Sequence, residues 1–285
     1  MEQKKLTPRD LLAKKQRGEK LVRIAGCYDY TMALLADRAG VDCLAVGDSV
    51  AMAVMGLDST LPVTMEEMLH HCKAASRAVK HAVLTGDLPF LSYQTSIRDA
   101  VYNAGLLMKF GSVDVVKLEG GEEMAPAVKA IVNAGIPVMG HLGLTPQSVT
   151  ALGGYKVQGT DAVTARKLVK DARILQEVGA CMLVLECVPD RLAGYISKDL
   201  TIPVFGIGSG PYTDGQALIS YDILGLFERF TPKFVKKYAN FAEGFVQAFK
   251  QYKEEVEKGV FPGSEQSYHI KDQVLQEVLK EAGLK

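Results

Sequence analysis

A chain of 285 residues is long enough for one large domain or two small ones. Thirty-three Lys and Arg balance thirty-three Asp and Glu, so no basic field exists to draw nucleic acid or an anionic membrane. Hydrophobic residues reach 48%, yet no apolar run approaches the roughly 20 residues a bilayer span needs, which favours an ordinary globular protein over a membrane one. The opening Met1-Glu2-Gln3-Lys4-Lys5 leads into no apolar stretch that could act as a signal peptide. Cys27, Cys43, Cys72, Cys181 and Cys187 are odd in number and form no Cys-x-x-Cys pair, so reduced, mostly buried thiols and a cytoplasmic location are expected. No linker, low-complexity segment or charge block interrupts the chain, and one domain is expected over residues 1–285.

In chain order, Thr7 caps a predicted helix over 8–16, and a first strand follows over 21–28. Residues 30–38 carry Met32, Leu34 and Leu35 at helical spacing, and 41–46 form a second apolar strand that runs into Gly47-Asp48-Ser49. Thr64 and Glu67 form a capping box for a helix reaching Ala78, and a third strand over 82–85 ends in Gly86-Asp87. A helix over 96–110 is expected to use Asp99 in its own capping box. The fourth strand, within 114–121, precedes a helix over 122–133, and a fifth strand over 137–140 leads to His141. After a loop over 144–159 come a helix over 162–178, a sixth strand over 181–185 ending at Glu186, and a short helix over 191–197. A seventh strand over 203–207 enters Gly208-Ser209-Gly210, an eighth falls within 217–220, and helix fills much of the rest, including 234–258. Eight strands alternating with helices predict a parallel sheet closed into a (β/α)8 TIM barrel. An open doubly wound sheet is the main rival, but no Gly-x-Gly-x-x-Gly follows the first strand.

The fourth strand carries the most telling residues. Lys117 and Glu119 stand two apart, so they share one face with Val115 below them. A solvated ion pair on an edge strand is the bland reading, and repetition argues against it. Asp48 and Ser49, Asp87, Lys117 and Glu119, His141, and Glu186 end strands two to six in turn. By alternation, Asp48 is expected to share a face with Val46 and Leu44, Asp87 with Thr85 and Val83, and Glu186 with Val184 and Met182. The C-terminal ends of barrel strands are where active sites lie.

Several carboxylates without a cysteine–histidine cluster favour a hard, oxygen-bound cation, magnesium above zinc. A lysine among them can neutralise a substrate carboxylate or form a Schiff base, and Glu119 beside Lys117 favours the first. A carboxylate away from the metal can act as general base. Together these groups suit proton abstraction next to a carbonyl, with the metal stabilising the enolate.

At these residues the chain resembles the ketopantoate hydroxymethyltransferase family, over about residues 21–269. The likeness rests on Tyr28-Asp29-Tyr30, Val46-Gly47-Asp48-Ser49, Asp58-Ser59-Thr60-Leu61-Pro62-Val63-Thr64 and Asp87-Leu88-Pro89-Phe90. It continues through Lys117-Leu118-Glu119-Gly120-Gly121, Gly140-His141-Leu142-Gly143-Leu144-Thr145-Pro146-Gln147-Ser148, Gly153-Gly154-Tyr155-Lys156-Val157-Gln158-Gly159 and Leu185-Glu186-Cys187-Val188-Pro189. The resemblance implies a barrel of the phosphoenolpyruvate/pyruvate type and a homo-oligomer, often a decamer. It implies transfer of a one-carbon unit from 5,10-methylenetetrahydrofolate to 3-methyl-2-oxobutanoate, giving 2-dehydropantoate for pantothenate synthesis. By position, Asp48, Asp87 and Glu119 look like the magnesium ligands. Ser49 and Lys117 look like contacts to the oxo acid, alongside Asp48 and Asp87, and Glu186 looks like the proton acceptor. Ser209, Tyr221-Asp222 and Gly26-Cys27 depart from the family's commoner residues, away from these positions. A magnesium-dependent lyase or mutase on 2-oxo acids, and a catalytically silent oxo-acid-binding relative, are the rival readings.

Overall fold

The computed structural model describes residues 4–283, so Met1, Glu2 and Gln3, on which the expectation of no signal peptide partly falls, lie outside the described residues. Its chain forms two compact units, one running to Tyr238 and one starting at Ala239.

The first unit opens with α1 (Pro8–Gln16), whose Thr7 and Asp10 make a reciprocal capping box with proline in the first turn. Then come β1 (Leu21–Ala25), α2 (Tyr30–Arg38), β2 (Cys43–Val46), a one-turn α3 (Val50–Ala53), α4 (Met65–Ser76) and β3 (Val83–Asp87). They are followed by α5 (Ile97–Lys109), β4 (Val115–Glu119), α6 (Ala125–Asn133), β5 (Val138–Gly143) and α7 (Ala162–Glu177). The unit finishes with β6 (Met182–Glu186), α8 (Asp190–Asp199), β7 (Val204–Ile207), β8 (Gly215–Ile219) and a one-turn α9 (Ser220–Ile223). All eight strands are parallel, and β8 pairs back onto β1 to close the barrel. The second unit holds α10 (Phe241–Glu257) and α11 (Asp272–Glu281).

Two apolar clusters follow from strand alternation. One lies between sheet and helices, where Leu44, Leu84, Val116, Leu118, Leu183 and Leu185 meet helical residues such as Met68, Leu107 and Leu175. The other fills the barrel, with Leu21, Cys43, Val83, Val115, Met139, Met182, Val184 and Phe205 pointing inward. Leu11 of α1 joins this inner cluster and is fully buried.

The helix α1 closes the N-terminal end of the barrel through three lysine–aspartate pairs. Lys5 reaches Asp114 at 2.7 Å, Lys15 reaches Asp214 at 2.7 Å, and Lys14 pairs with Asp42. Each aspartate also accepts a strand N–H: Asp42 from Val22 (2.8 Å), Asp114 from Leu84 (2.8 Å) and Asp214 from Val204 (2.9 Å). Charges and lone pairs are thereby matched at this end.

Three local expectations change. The helix expected over 234–258 begins only at Phe241, because the Tyr238 N–H bonds the Ile223 carbonyl instead of a helical partner. Asp99 does not complete a capping box: Ser96 accepts the Asp99 N–H, but the Asp99 carboxylate takes the Thr95 hydroxyl. On β2 the inward residue is Cys43, whereas Leu44 and Val46 face the helices, so Asp48 does not share an inner face with them. The strand ends at Val46, and Gly47 turns the chain before Asp48.

Candidate active site

The C-terminal ends of β2 to β6 bring Asp48, Asp87, Lys117, Glu119, His141 and Glu186 together. Asp87 and His141 lie at or near the ends of strands longer than expected, and Glu186 ends a sixth strand shifted by one residue, so the sheet itself fixes their side chains. Lys117 lies beside Asp87 in the β3–β4 register, and His141 beside Glu119 in the β4–β5 register. Val83, Val115, Met139, Val184 and Met182 lie below them on the inner face.

Lys117 is the hub. Its Nζ stands 3.0 Å from Asp87 Oδ2, 3.5 Å from Glu119 Oε1 and 3.4 Å from His141 Nδ1. Burial works against its charge, but Asp87, Glu119 and Asp48 outweigh it and raise its pKa. This surrounding favours the ammonium over a nucleophilic amine. Burial likewise opposes ionisation of Glu119, yet Lys117, then His141 and the Gln147 N–H, hold its pKa below the ordinary glutamate value. Asp48 differs. Burial pushes it up to about 7, and repulsion from Asp87 and Glu119 adds to the effect against the pull of Lys117. His141 Nδ1 lies 3.3 Å from Glu119 and its Nε2 lies 3.3 Å from Glu186, and these carboxylates raise its pKa against burial and Lys117.

Ser49 is fixed by a 2.8 Å hydrogen bond between its hydroxyl and that of buried Tyr28. The Asp48 N–H donates to Asp87 Oδ2 at 3.2 Å, tying the ends of β2 and β3 together. Glu186 stands apart from the other carboxylates. Its side chain is 17% exposed against 5% for Asp87 and 2% for Glu119, and it forms no pair with Lys117. The turn beside it requires glycine: Gly143 has φ 92°, and a Cβ there would lie 2.2 Å from the Glu186 carbonyl.

The donor set fits a hard divalent cation. Asp87 Oδ1 is buried and accepts no hydrogen bond, Glu119 Oε1 has only its longer contacts to Lys117 and His141, and the cluster carries more carboxylates than cations. Among the described residues no three Asp, Glu, His or Cys side chains form a ready metal cage. Magnesium does not need one, because it keeps several waters and binds through one or two carboxylates together with its substrate.

Sequence reasoning missed three buried residues here. Gln147 donates from Nε2 to Asp48, Tyr93 lies against both Gln147 and Glu119, and Arg23 rises from β1 inside the barrel with an unpartnered Nε. Arg23 was legible, since Leu21, Arg23 and Ala25 alternate onto the inner face as Val115, Lys117 and Glu119 do. Gln147 and Tyr93 sit on turns, where no period announces them.

A closed (β/α)8 barrel with an acidic cluster at its strand C-termini belongs to the class of barrel enzymes. Solved structures with this fold include phosphonopyruvate hydrolase in complex with oxalate and Mg++ (14% identity, TM-score 0.59, covering 98% of this chain and 95% of that one). Another is 2,3-dimethylmalate lyase, a member of the PEP mutase/isocitrate lyase superfamily (17% identity, TM-score 0.55, covering 98% and 97%). The likeness shows that these chains share the barrel fold. The ketopantoate hydroxymethyltransferase family model matches residues 5–264. A 3-methyl-2-oxobutanoate hydroxymethyltransferase of Moorella thermoacetica is 56% identical over 264 residues, 93% of this chain and 98% of that one. One from Carboxydothermus hydrogenoformans is 50% identical over 274 residues, 96% and 99% of the two chains. The chain belongs to the ketopantoate hydroxymethyltransferase family.

Proposed function

We propose that this chain transfers a hydroxymethyl group to 3-methyl-2-oxobutanoate, with 5,10-methylenetetrahydrofolate as donor and magnesium as cofactor, giving 2-dehydropantoate. Family membership supports the reaction class. The observation that carries the mechanism is the division of labour among the carboxylates: three crowd around Lys117, and Glu186 stands clear of it. Asp48 and Asp87 would hold the metal, with Glu119 completing the site. Bound magnesium supplies a Lewis acid that stabilises negative charge on the ketone oxygen of the oxo acid.

The remaining work falls to the chain's own side chains. Lys117 offers a fixed positive charge to the substrate carboxylate, and Ser49, locked by Tyr28, offers a hydroxyl beside it. Glu186 accepts the hydrogen from the carbon next to the ketone. A base should not itself be a metal ligand, because a bound cation depresses basicity. Glu186 ends β6, across the barrel from β2 to β4, and its neighbour His141 Nε2 can steady the carboxylate. Self-association in the cytoplasm belongs to the same proposal, supported by the exposed apolar stripe Phe241, Phe245, Phe249 and Tyr252 along α10.

Hydrogen–deuterium exchange at the substrate carbon, followed by NMR without folate, tests the role of Glu186. Glu186→Gln should slow exchange by roughly 10²–10⁴-fold while the variant still binds magnesium and oxo acid. Exchange at the wild-type rate, with only the folate-dependent step lost, would make Glu186 a folate contact. A lyase or mutase reading requires turnover without methylenetetrahydrofolate.

A further inference from the structure

Gln147 lies on the turn after β5 and is buried, with 4% of its surface exposed. It has no charge and titrates nothing, yet it touches two of the carboxylates that ring Lys117. Its backbone N–H donates to Glu119 Oε2 at 3.0 Å. Its Nε2 donates to Asp48 Oδ2 at 2.7 Å and to the Leu88 carbonyl at 2.9 Å. Its Oε1 accepts from the Tyr93 hydroxyl at 2.7 Å and from Gln94 Nε2 at 3.3 Å.

These contacts use the whole hydrogen-bonding capacity of a primary amide, two donors and two acceptors. They also fix which way round the amide sits. A flipped amide would set its oxygen against the Leu88 carbonyl and the Asp48 carboxylate, three acceptors with no hydrogen between them. The Tyr93 hydroxyl enforces the orientation from the other side. It accepts the Glu119 N–H at 3.1 Å, and of the two oxygens within reach of its own hydrogen, Gln147 Oε1 at 2.7 Å is nearer than the Glu119 carbonyl at 3.1 Å. Tyr93 is itself 2% exposed, and burial raises its pKa, so the hydroxyl keeps its proton.

We infer that Gln147, locked by Tyr93, is a positioning residue that holds Asp48 and Glu119 in register for the metal. The inference rests on the proposal that these two carboxylates belong to the magnesium site. On Asp48, the amide engages Oδ2 at 2.7 Å and leaves the other oxygen free of this bond. On Glu119, the Gln147 N–H engages Oε2, so that Oε1 is the oxygen turned towards Lys117 at 3.5 Å and His141 at 3.3 Å, the inner side of the cluster. Gln147 thus selects one oxygen on each carboxylate, the arrangement by which outer groups orient metal ligands.

The test is magnesium titration of the metal-free full-length protein by calorimetry, comparing wild type, Gln147→Met and Tyr93→Phe. Gln147→Met keeps the length of the side chain and removes every amide bond except the backbone one. It should weaken magnesium binding by about 10–100-fold, the usual effect of losing an outer-shell partner. Tyr93→Phe keeps the buried ring and frees the amide to turn, and it should weaken binding less. At saturating magnesium both variants should recover most of kcat, so the defect appears in the metal requirement and not in the maximal rate. A purely structural role predicts the reverse: lower stability with unchanged magnesium affinity. Wild-type affinity in a folded Gln147→Met protein overturns the inference. If that variant does not fold, wild-type affinity in Tyr93→Phe overturns it equally. A wild-type protein that binds no magnesium removes the metal reading itself and takes this inference with it.

Discussion

The two ends of the barrel use the same residue types to opposite effect. At the N-terminal end, Asp42, Asp114 and Asp214 each have one lysine and one backbone N–H. At the C-terminal end, Asp48, Asp87 and Glu119 share a single lysine, and the buried Asp87 Oδ1 accepts nothing. Matched pairs at the first end hold α1 over the barrel mouth. Unmatched acids at the second are tolerable only because the surrounding strands over-determine them. A surplus of buried negative charge is a site prepared for something positive. Satisfaction marks the scaffold, and its absence marks the chemistry.

The largest expected effect comes from removing the hub. Lys117→Met strands three buried carboxylates and should cost about 3–5 kcal/mol in the metal-free protein, measured by urea unfolding. No single lysine at the other end is shared in this way. Leu11→Ala should follow at about 2–5 kcal/mol, because Leu11 is fully buried in the barrel's inner cluster. That variant should keep wild-type turnover at a temperature where it is folded, since it touches only the scaffold end. A change in its magnesium or oxo-acid affinity would break the division between the two ends.

A pH-dependent difference sharpens the comparison. Asp48 has its pKa raised from 3.8 to about 7, so between those values the folded protein holds a proton that the unfolded chain has released. Stability from this group is therefore full below about pH 4 and is lost as pH rises through about 7. Asp48→Asn should remove that decline, measured as the difference between the unfolding free energies of wild type and variant across this window without metal. A difference that rises with pH would reverse the sign and contradict the crowding at this end.

Much of this was legible in the chain because strands and barrels are periodic. Alternation placed Lys117 and Glu119 on the inner face above Val115, and Asp87 above Val83 and Glu186 above Val184, and the inner cluster contains those apolar residues. Alternation failed at Asp48, where Gly47 ends the pleat and the side chain is set by a turn. It was also not applied to β1, so Arg23 passed unnoticed despite obeying the same rule. Gln147 and Tyr93 lie beyond such reasoning, because their role comes from contacts between turns 54 residues apart in sequence. The start of α10 was misplaced because residues just before it have helix-forming composition but bond elsewhere, as Tyr238 does to Ile223.

The most direct measurement is the stabilisation that magnesium confers on three proteins: wild type, Leu11→Ala and Asp87→Asn. Each is unfolded with urea, with and without magnesium at about a hundred times the wild-type dissociation constant. Wild type and Leu11→Ala should both gain about 2.7 kcal/mol, the gain that occupancy at that excess confers, although Leu11→Ala starts from lower stability. Asp87→Asn, which removes one carboxylate proposed to hold the metal, should gain far less. Equal gains in all three proteins, or none in the wild type, would contradict the account of the C-terminal end as a site built for a divalent cation.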